Sequence, residues 1–287
     1  MKLLLLAGIL FTISFYAYAD IICAPGYTLV NESKCWQLFN NQTAESDADE
    51  SCRQNGGGIL ATLTTAIDNR ALLTMFNGTD VSRVWIGLKC TGLSLSTCQW
   101  DDQSQVKYSS FASGFPNDRF GQCVYYSADG SPQGQWANGP CEDKLPYVCE
   151  LPTTSSDFLN CTNNYNNNCY TADNTTIEFS WAQKDCQTQL GNLASVHSYL
   201  ENRYLTSLFD FDGSVWLGGL APGAGLIVWT DGSNNNYYNL RTTGNGTCVS
   251  MDLHTDSSNG NWTSVDCNSQ LGYLCKRYTC SSDGHCP

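Results

Sequence analysis

Ten of the sixteen cysteines repeat as two copies of one ladder. Cys35, Cys52, Cys123, Cys141 and Cys149 are separated by 17, 71, 18 and 8 residues. Cys169, Cys186, Cys248, Cys267 and Cys275 are separated by 17, 62, 19 and 8. Three of the four steps agree to within one residue. A chain with this pattern folds as two similar units, each with its own core, and not as one large domain. The ladder extends to aromatic blocks. Val84-Trp85-Ile86-Gly87-Leu88 answers to Val215-Trp216-Leu217-Gly218-Gly219-Leu220, Trp100-Asp101-Asp102 to Trp229-Thr230-Asp231-Gly232, and Tyr147-Val148-Cys149 to Tyr273-Leu274-Cys275. Trp136 and Trp262 each stand five residues before a ladder cysteine.

The compartment follows from the N-terminus. Met1-Lys2, an apolar run from Leu3 to Phe15 and Ala17-Tyr18-Ala19 form a secretory leader over residues 1–19, too short for the ~20-residue apolar span of a membrane helix. An even number of cysteines agrees with an oxidising, extracellular setting in which they pair as disulfides. Asn31, Asn41, Asn77, Asn160, Asn174, Asn245 and Asn261 each open an Asn-x-Ser/Thr glycosylation signal, which needs an exposed loop. Loss of Lys2 leaves 13 basic against 27 acidic residues, a formal charge of −14. That balance argues against nucleic acid or another polyanion as partner.

Within the repeat, short apolar-aromatic runs between Gly and Asn clusters read as strands. Thr43 is positioned to cap a helix from Ala44 to about Asn55, ended by Gly56, with a counterpart from Ser180 to Leu190. A second helix is expected over Ile67–Phe76, matched by Tyr199–Phe209. Two helices with a small set of antiparallel strands make each unit α+β. The expected division is a first domain over 20–150, a linker over 151–159, a second domain over 160–277 and a short cysteine-containing tail over 278–287.

These residues resemble the C-type lectin-like domains. The second half carries the likeness most fully, through Ser180-Trp181-Ala182-Gln183-Lys184-Asp185-Cys186, then Leu190-Gly191-Asn192-Leu193-Ala194-Ser195-Val196-His197-Ser198, then the Trp-Leu-Gly block, the Trp-x-Asp-Gly block and the three closing cysteines. The first half keeps the same order. The resemblance implies long bridges Cys52–Cys149 and Cys186–Cys275, short bridges Cys123–Cys141 and Cys248–Cys267, and N-terminal bridges Cys23–Cys35 and Cys161–Cys169. Cys90 with Cys98 and Cys280 with Cys286 remain as local pairs.

Sugar-binding members of that family work through a calcium ion, which wants roughly six to eight oxygen ligands, several of them carboxylate. The family supplies a Glu-Pro-Asn or Gln-Pro-Asp triplet, an acid two residues before the first of the last three cysteines, and an Asn-Asp pair after the Trp. Here the triplet reads Phe115-Pro116-Asn117, Gly121 replaces the acid, and Ala137-Asn138 follows Trp136. Asn117, Asp118 and Asn138 are the remaining metal candidates, and calcium is disfavoured. The second half has Gly246 before Cys248 and Thr263-Ser264 after Trp262. Phe115, Pro116, Asn117, Trp136, Asn138, Tyr237, Tyr238 and Trp262 mark the expected ligand loops, with Tyr125 and Tyr126 beside them.

No Gly-x-Ser-x-Gly, His-Glu-x-x-His or P-loop signature occurs, and His197, His254 and His285 are scattered. The expectation is a secreted glycan-recognition protein, not an enzyme, whose partners are extracellular glycans or glycoproteins. Host defence against microbial surfaces is a role the resemblance implies. The alternative is a protein-binding or matrix module on the same scaffold.

Overall fold

The computed structural model describes residues 20–129, 133–223, 225–254 and 259–280. The leader and Cys286 lie outside the described residues, so the expected cleavage and the Cys280–Cys286 pairing are not seen. Among the described residues no helix is long and apolar enough to cross a membrane.

The first half holds strands β1 (Ile21–Ile22), β2 (Thr28–Val30), β3 (Lys34–Thr43), β4 (Ile59–Leu60), β5 (Arg83–Cys90), β6 (Cys98–Trp100), β7 (Cys123–Ser127), β8 (Gln135–Gly139) and β9 (Leu145–Pro152), with helices α1 (Glu45–Gln54) and α2 (Ala66–Met75). Its sheet runs β2-β3-β9-β5-β7-β8, with β4 on β9 and β6 on β5. β10 (Thr154–Ser155) then pairs with β1, so part of the expected linker is ordered strand. The second half holds β11 (Asn163–Tyr165), β12 (Asn168–Ile177), β13 (Asn192–Leu193), β14 (Gly213–Gly223), β15 (Leu226–Trp229), β16 (Leu240–Thr243), β17 (Cys248–Leu253), β18 (Trp262–Val265) and β19 (Leu271–Tyr278), with α3 (Phe179–Thr188) and α4 (Tyr199–Thr206). Its sheet order, β11-β12-β19-β14-β17-β18-β16, repeats the first in every shared position. Most pairings are antiparallel. Trp85 opposite Tyr147 and Trp216 opposite Tyr273 are parallel contacts at equivalent places.

The repeated sequence blocks do the same physical work twice. The indole of Trp85 donates to Thr43 O at 3.0 Å, and that of Trp216 to Ile177 O at 2.8 Å. Trp136 donates to Asn69 Oδ1 and Trp262 to Asn202 Oδ1, each at 2.8 Å. All four indoles are fully buried. Seven bridges staple the halves: Cys23–Cys35, Cys52–Cys149, Cys90–Cys98, Cys123–Cys141, Cys161–Cys169, Cys186–Cys275 and Cys248–Cys267. The long ones close 97 and 89 residues. On the chain-entropy model each removes about 4–5 kcal/mol of unfolded-state freedom.

Helix entry differs from the sequence expectation at one end. Thr43 does not cap α1. It is the last residue of β3, its hydroxyl lies 3.3 Å from Asp47 Oδ2, and Ala44 is the N-cap with no side-chain bond. Glu45 and Asp47 in the first turn complement the helix dipole instead. α2 has a full capping box, with Asp68 N donating to Thr65 Oγ1 and Thr65 N to Asp68 Oδ2.

The halves are joined by a packed seam. Arg203 on α4 donates from Nε to Gly58 O at 2.9 Å and from Nη2 to Asp49 Oδ1 at 2.8 Å. Tyr165 and Tyr204 stack at 4.1 Å beside Cys35 and Leu151 from the first half. Asp157, past β10, takes a bidentate pair from Arg277 at 2.9 and 2.8 Å and caps Cys161 N and Cys280 N. The connecting segment is thereby tied to the second half.

Candidate functional site

The long loop of the first half leaves β6 and returns at β7. Its tip carries a cis Phe115–Pro116 bond and a short 3-10 turn, Asp118–Phe120, capped by Asn117. Asn117 Oδ1 accepts from Arg119 N at 3.2 Å. Asn138, on β8, holds the loop from both ends: its Oδ1 accepts from Asn117 N at 2.9 Å and its Nδ2 donates to Gly121 O at 3.1 Å. With both polar atoms committed and only 3% exposure, Asn138 is a structural tie and no free ligand. Phe115 and Pro116 bring no side-chain oxygen, and Gly121 brings no side chain. Asp118 is the one carboxylate between Gln103 and Gln122.

The corresponding place in the second half is also filled. Ser264 is buried and its hydroxyl accepts from Gly244 N, while Thr263 Oγ1 donates to Asp252. Neither place assembles the several carboxylates that calcium requires, so the residues present do not fit that ion.

What these loops do present is aromatic. Phe120 is 57% exposed and packs its ring 5.4 Å from that of half-buried Phe115, with Arg119 exposed between Asp118 and Phe120. Cys90 N donates to Gln122 O, which ties the end of β5 to the end of this loop; the β5–β6 hairpin beyond Cys90 carries exposed Leu93 and Leu95. Tyr125 is half-buried under Arg83, and Tyr126 is core. In the second half Tyr238 is exposed, whereas Tyr237 lies edge-on to Trp262 at 5.5 Å and burial pushes its phenol up to about 12. Trp136 and Trp262, expected among the ligand-loop residues, have no exposed surface, because each is the central indole of its core. Their partners Asn69 and Asn202 escaped the sequence reading. The signal was present, since both asparagines occupy the same place in the repeated Ser/Thr-led α2 and α4 segments.

A second polar cluster anchors the loop after β15. His197 lies 2.9 Å from Ser195 Oγ through Nε2 and 2.8 Å from Asn236 Oδ1 through Nδ1. The spacing is that of a nucleophile, base and orienting group. Ser195, however, is 1% exposed and gives its hydroxyl proton to Asp231, so no substrate atom can approach it. The cluster fixes the loop. Behind it Lys276 pairs with Glu201 at 2.6 Å, and Tyr170 donates to the same carboxylate. In the first half Glu150 stands where Lys276 stands in the second, each just after its last ladder cysteine. It accepts from Trp36 and Thr62, and burial holds its carboxyl up against the pull of Lys34. The same buried place thus carries opposite charge in the two halves.

Asp101 is the outlier of the first half. Its Oδ2 is sealed and has no partner among the described residues, and burial, with Asp49 nearby, raises its pKa to about 7. A raised carboxyl means the folded state holds the extra proton. Its contribution to stability is therefore present below about pH 4 and lost as pH rises through about 7. Asp101→Asn is expected to stabilise the protein at pH 8 by on the order of 2 kcal/mol, about half the full linkage value because the residue keeps some surface. The gain should shrink towards pH 4. Chemical denaturation of both proteins from pH 4 to 8 checks this; a gain that does not change with pH overturns the assignment.

A family model described as Lectin C-type domain matches residues 41–151 and 175–277. The chain is 37% identical over 263 residues to C-type lectin domain-containing protein 38 of Caenorhabditis elegans, covering 90% of this chain and 68% of that protein. It is 23% identical over 281 residues to human C-type mannose receptor 2, spanning 91% of this chain but 18% of the receptor. Among solved structures, human lithostathine is 28% identical with a TM-score of 0.40, over 45% of this chain and 99% of that one. Matched through both halves, with each half closed by the same bridges around the same buried tryptophans, the chain belongs to the C-type lectin domain family.

Proposed function

We propose that this chain is a secreted glycan-recognition protein that works without the calcium site of its family, with the aromatic tip of the first long loop as its contact surface. The observation that carries the reading is Phe120. A phenyl ring more than half exposed packs on Phe115 in the loop that the resemblance marks as a ligand loop, close in sequence to Asn117 and Arg119. An exposed ring offers its face to the C–H side of a pyranose, and the amide and guanidinium offer hydrogen bonds to hydroxyls. The leader sequence and the bridges support secretion. Six of the seven glycosylation signals have exposed asparagines and Asn261 is half-buried, which supports a glycoprotein. The mannose receptor among the relatives is a sugar receptor by name. Microbial surfaces are the proposed targets, where two linked domains on a repetitive surface gain avidity. No catalytic role is proposed.

The exposed Leu93 and Leu95 of the β5–β6 hairpin favour a second reading, a calcium-independent protein-binding or matrix module. Residues 20–287 from a secreting host, probed against a glycan panel and whole bacteria in calcium and in EDTA, separate the two. Binding that survives EDTA and falls at least tenfold in Phe120→Ala is expected. Binding abolished by EDTA overturns calcium independence. No binding to any glycan or cell passes the role to a protein partner.

A further inference from the structure

We propose that the cleft between the two halves is a second binding site, for a neutral oligosaccharide; the proposal rests on the glycan-recognition reading above. The cleft is open to solvent on one side and offers about 750 Å³, within the ~300–1,000 Å³ range of small-molecule sites. Neither half forms it alone. One wall is the C-terminal part of α1, with Glu50, Arg53 and Gln54. The other is Tyr199 on α4 and Phe209 and Phe211 just after that helix.

The two walls offer the two things a sugar needs. Arg53 grips Glu50 through Nε at 2.7 Å and Nη2 at 2.5 Å, and Gln54 Nε2 donates to the same carboxylate at 2.9 Å. Together they line this wall with donors and acceptors on one turn of α1. Arg53 Nη1 is left without a partner among the described residues, and sugar hydroxyls can both give to and take from such an array. Opposite it, Phe209 and Phe211 brace each other edge to face at 5.4 Å, and Phe211 is 36% exposed. That supplies an apolar face for a pyranose ring.

Charge selects the class. Both arginines of the cleft are already paired, Arg53 with Glu50 and Arg203 with Asp49. Asp210 and Asp212 in the lining are exposed and form no ion pair among the described residues. The net field disfavours sialylated, uronic or sulfated glycans and leaves neutral ones. The site is also preformed. Arg203 fixes α4 against Asp49 and Gly58, so closure does not have to be driven by the ligand.

The test is calorimetric titration of residues 20–287 with mannotriose, chitotriose and laminaritriose, with 3′-sialyllactose as anionic control. It uses wild type, Phe120→Ala, Phe211→Ala and the double variant. We expect at least one neutral trisaccharide to bind at two sites, Phe120→Ala to leave one, and the double variant to leave none, with the sialylated sugar at least tenfold weaker. Gln54→Ala in the Phe120→Ala background should weaken the remaining site at least fivefold, and thermal melts should show all variants folded. Complete loss of binding in Phe120→Ala alone overturns the cleft and leaves the loop reading standing. Binding that persists in the double variant overturns both placements. No binding of any trisaccharide to wild type overturns the cleft and the glycan reading together, and would leave a peptide as the occupant to seek.

Discussion

Gly57→Ala is expected to uncouple the two domains. Gly57 sits at φ +73°, a conformation that costs an L-residue roughly 1–2 kcal/mol. The greater cost is steric. A Cβ there would lie 2.4 Å from Tyr204 Cα and 2.8 Å from Tyr204 Cβ. Those atoms belong to α4 itself, so no side-chain rotation relieves the clash; the helix must back away from the α1–β4 turn. Arg203 then loses its bonds to Gly58 O and Asp49, and the Tyr165–Tyr204 stack loses its support from Leu151. Overpacking and backbone together place the loss at about 3–5 kcal/mol. Scanning calorimetry should show one cooperative transition for wild type and two for the variant. Gly56→Ala is the control: its φ is also positive, at +93°, but its Cβ would meet only Leu151 at 3.5 Å, an ordinary contact. It should cost about 1–2 kcal/mol with the transition still single. A single transition in Gly57→Ala, shifted no further than in the control, sinks the idea that this seam couples the halves. Because the proposed cleft shares the seam, Gly57→Ala should also remove the trisaccharide site that survives Phe120→Ala.

The fold was legible because its determinants are local or repeated. The cysteine ladder, the Trp85 and Trp216 blocks and the closing Tyr-x-Cys triplets occur twice, and each copy checks the other. The second helix, expected over Ile67–Phe76, forms over Ala66–Met75; its start is set by Thr65 and Asp68, which satisfy each other within one turn and which the sequence reading did not single out. Thr43 read as a cap and misled, because β3 pairing with Leu145 holds it in the sheet, which moves the N-cap to Ala44 and the helix start to Glu45. The site was less legible, since its residues answer to distant partners. Asn138 read as a weakened metal ligand. It is instead a tie that needs a donor as well as an acceptor, which an aspartate in its place could not supply. Asn69 and Asn202 matter through indoles 67 and 60 residues away. Arg203 matters through a contact 154 residues away, in the other domain. The repeat marks Asn69 and Asn202 as equivalent, but no period or spacing rule names the distant group that such a residue contacts.

The disagreement with the family's calcium site has a structural root, and it predicts how an attempted reversion will fail. Gly121→Glu restores a carboxylate at the family's position, yet it is expected to destabilise the first domain and gain no metal. Gly121 has φ +127°, and a Cβ on it would fall 1.9 Å from Gly139 O and 2.1 Å from Gly139 C. The obstacle is the backbone of β8, so the loop tip must lift away from the strand. Lifting it breaks both bonds of Asn138 and strips support from Asn117, while Cys123–Cys141 still ties the loop's return. A loss of about 3 kcal/mol or more follows from a backbone clash compounded by orphaned buried amide groups. Gly246 in the second half is boxed in the same way, with Val265 O 2.0 Å from its would-be Cβ. Both domains thus replaced the acid by a residue whose missing side chain lets two backbones meet. Thermal melts of Gly121→Glu with and without millimolar calcium decide the matter. A lower melting temperature that calcium does not restore is expected. A variant as stable as wild type, or one that calcium stabilises, would mean that the loop can still open into a metal site and that the close backbone packing is not what excludes the ion.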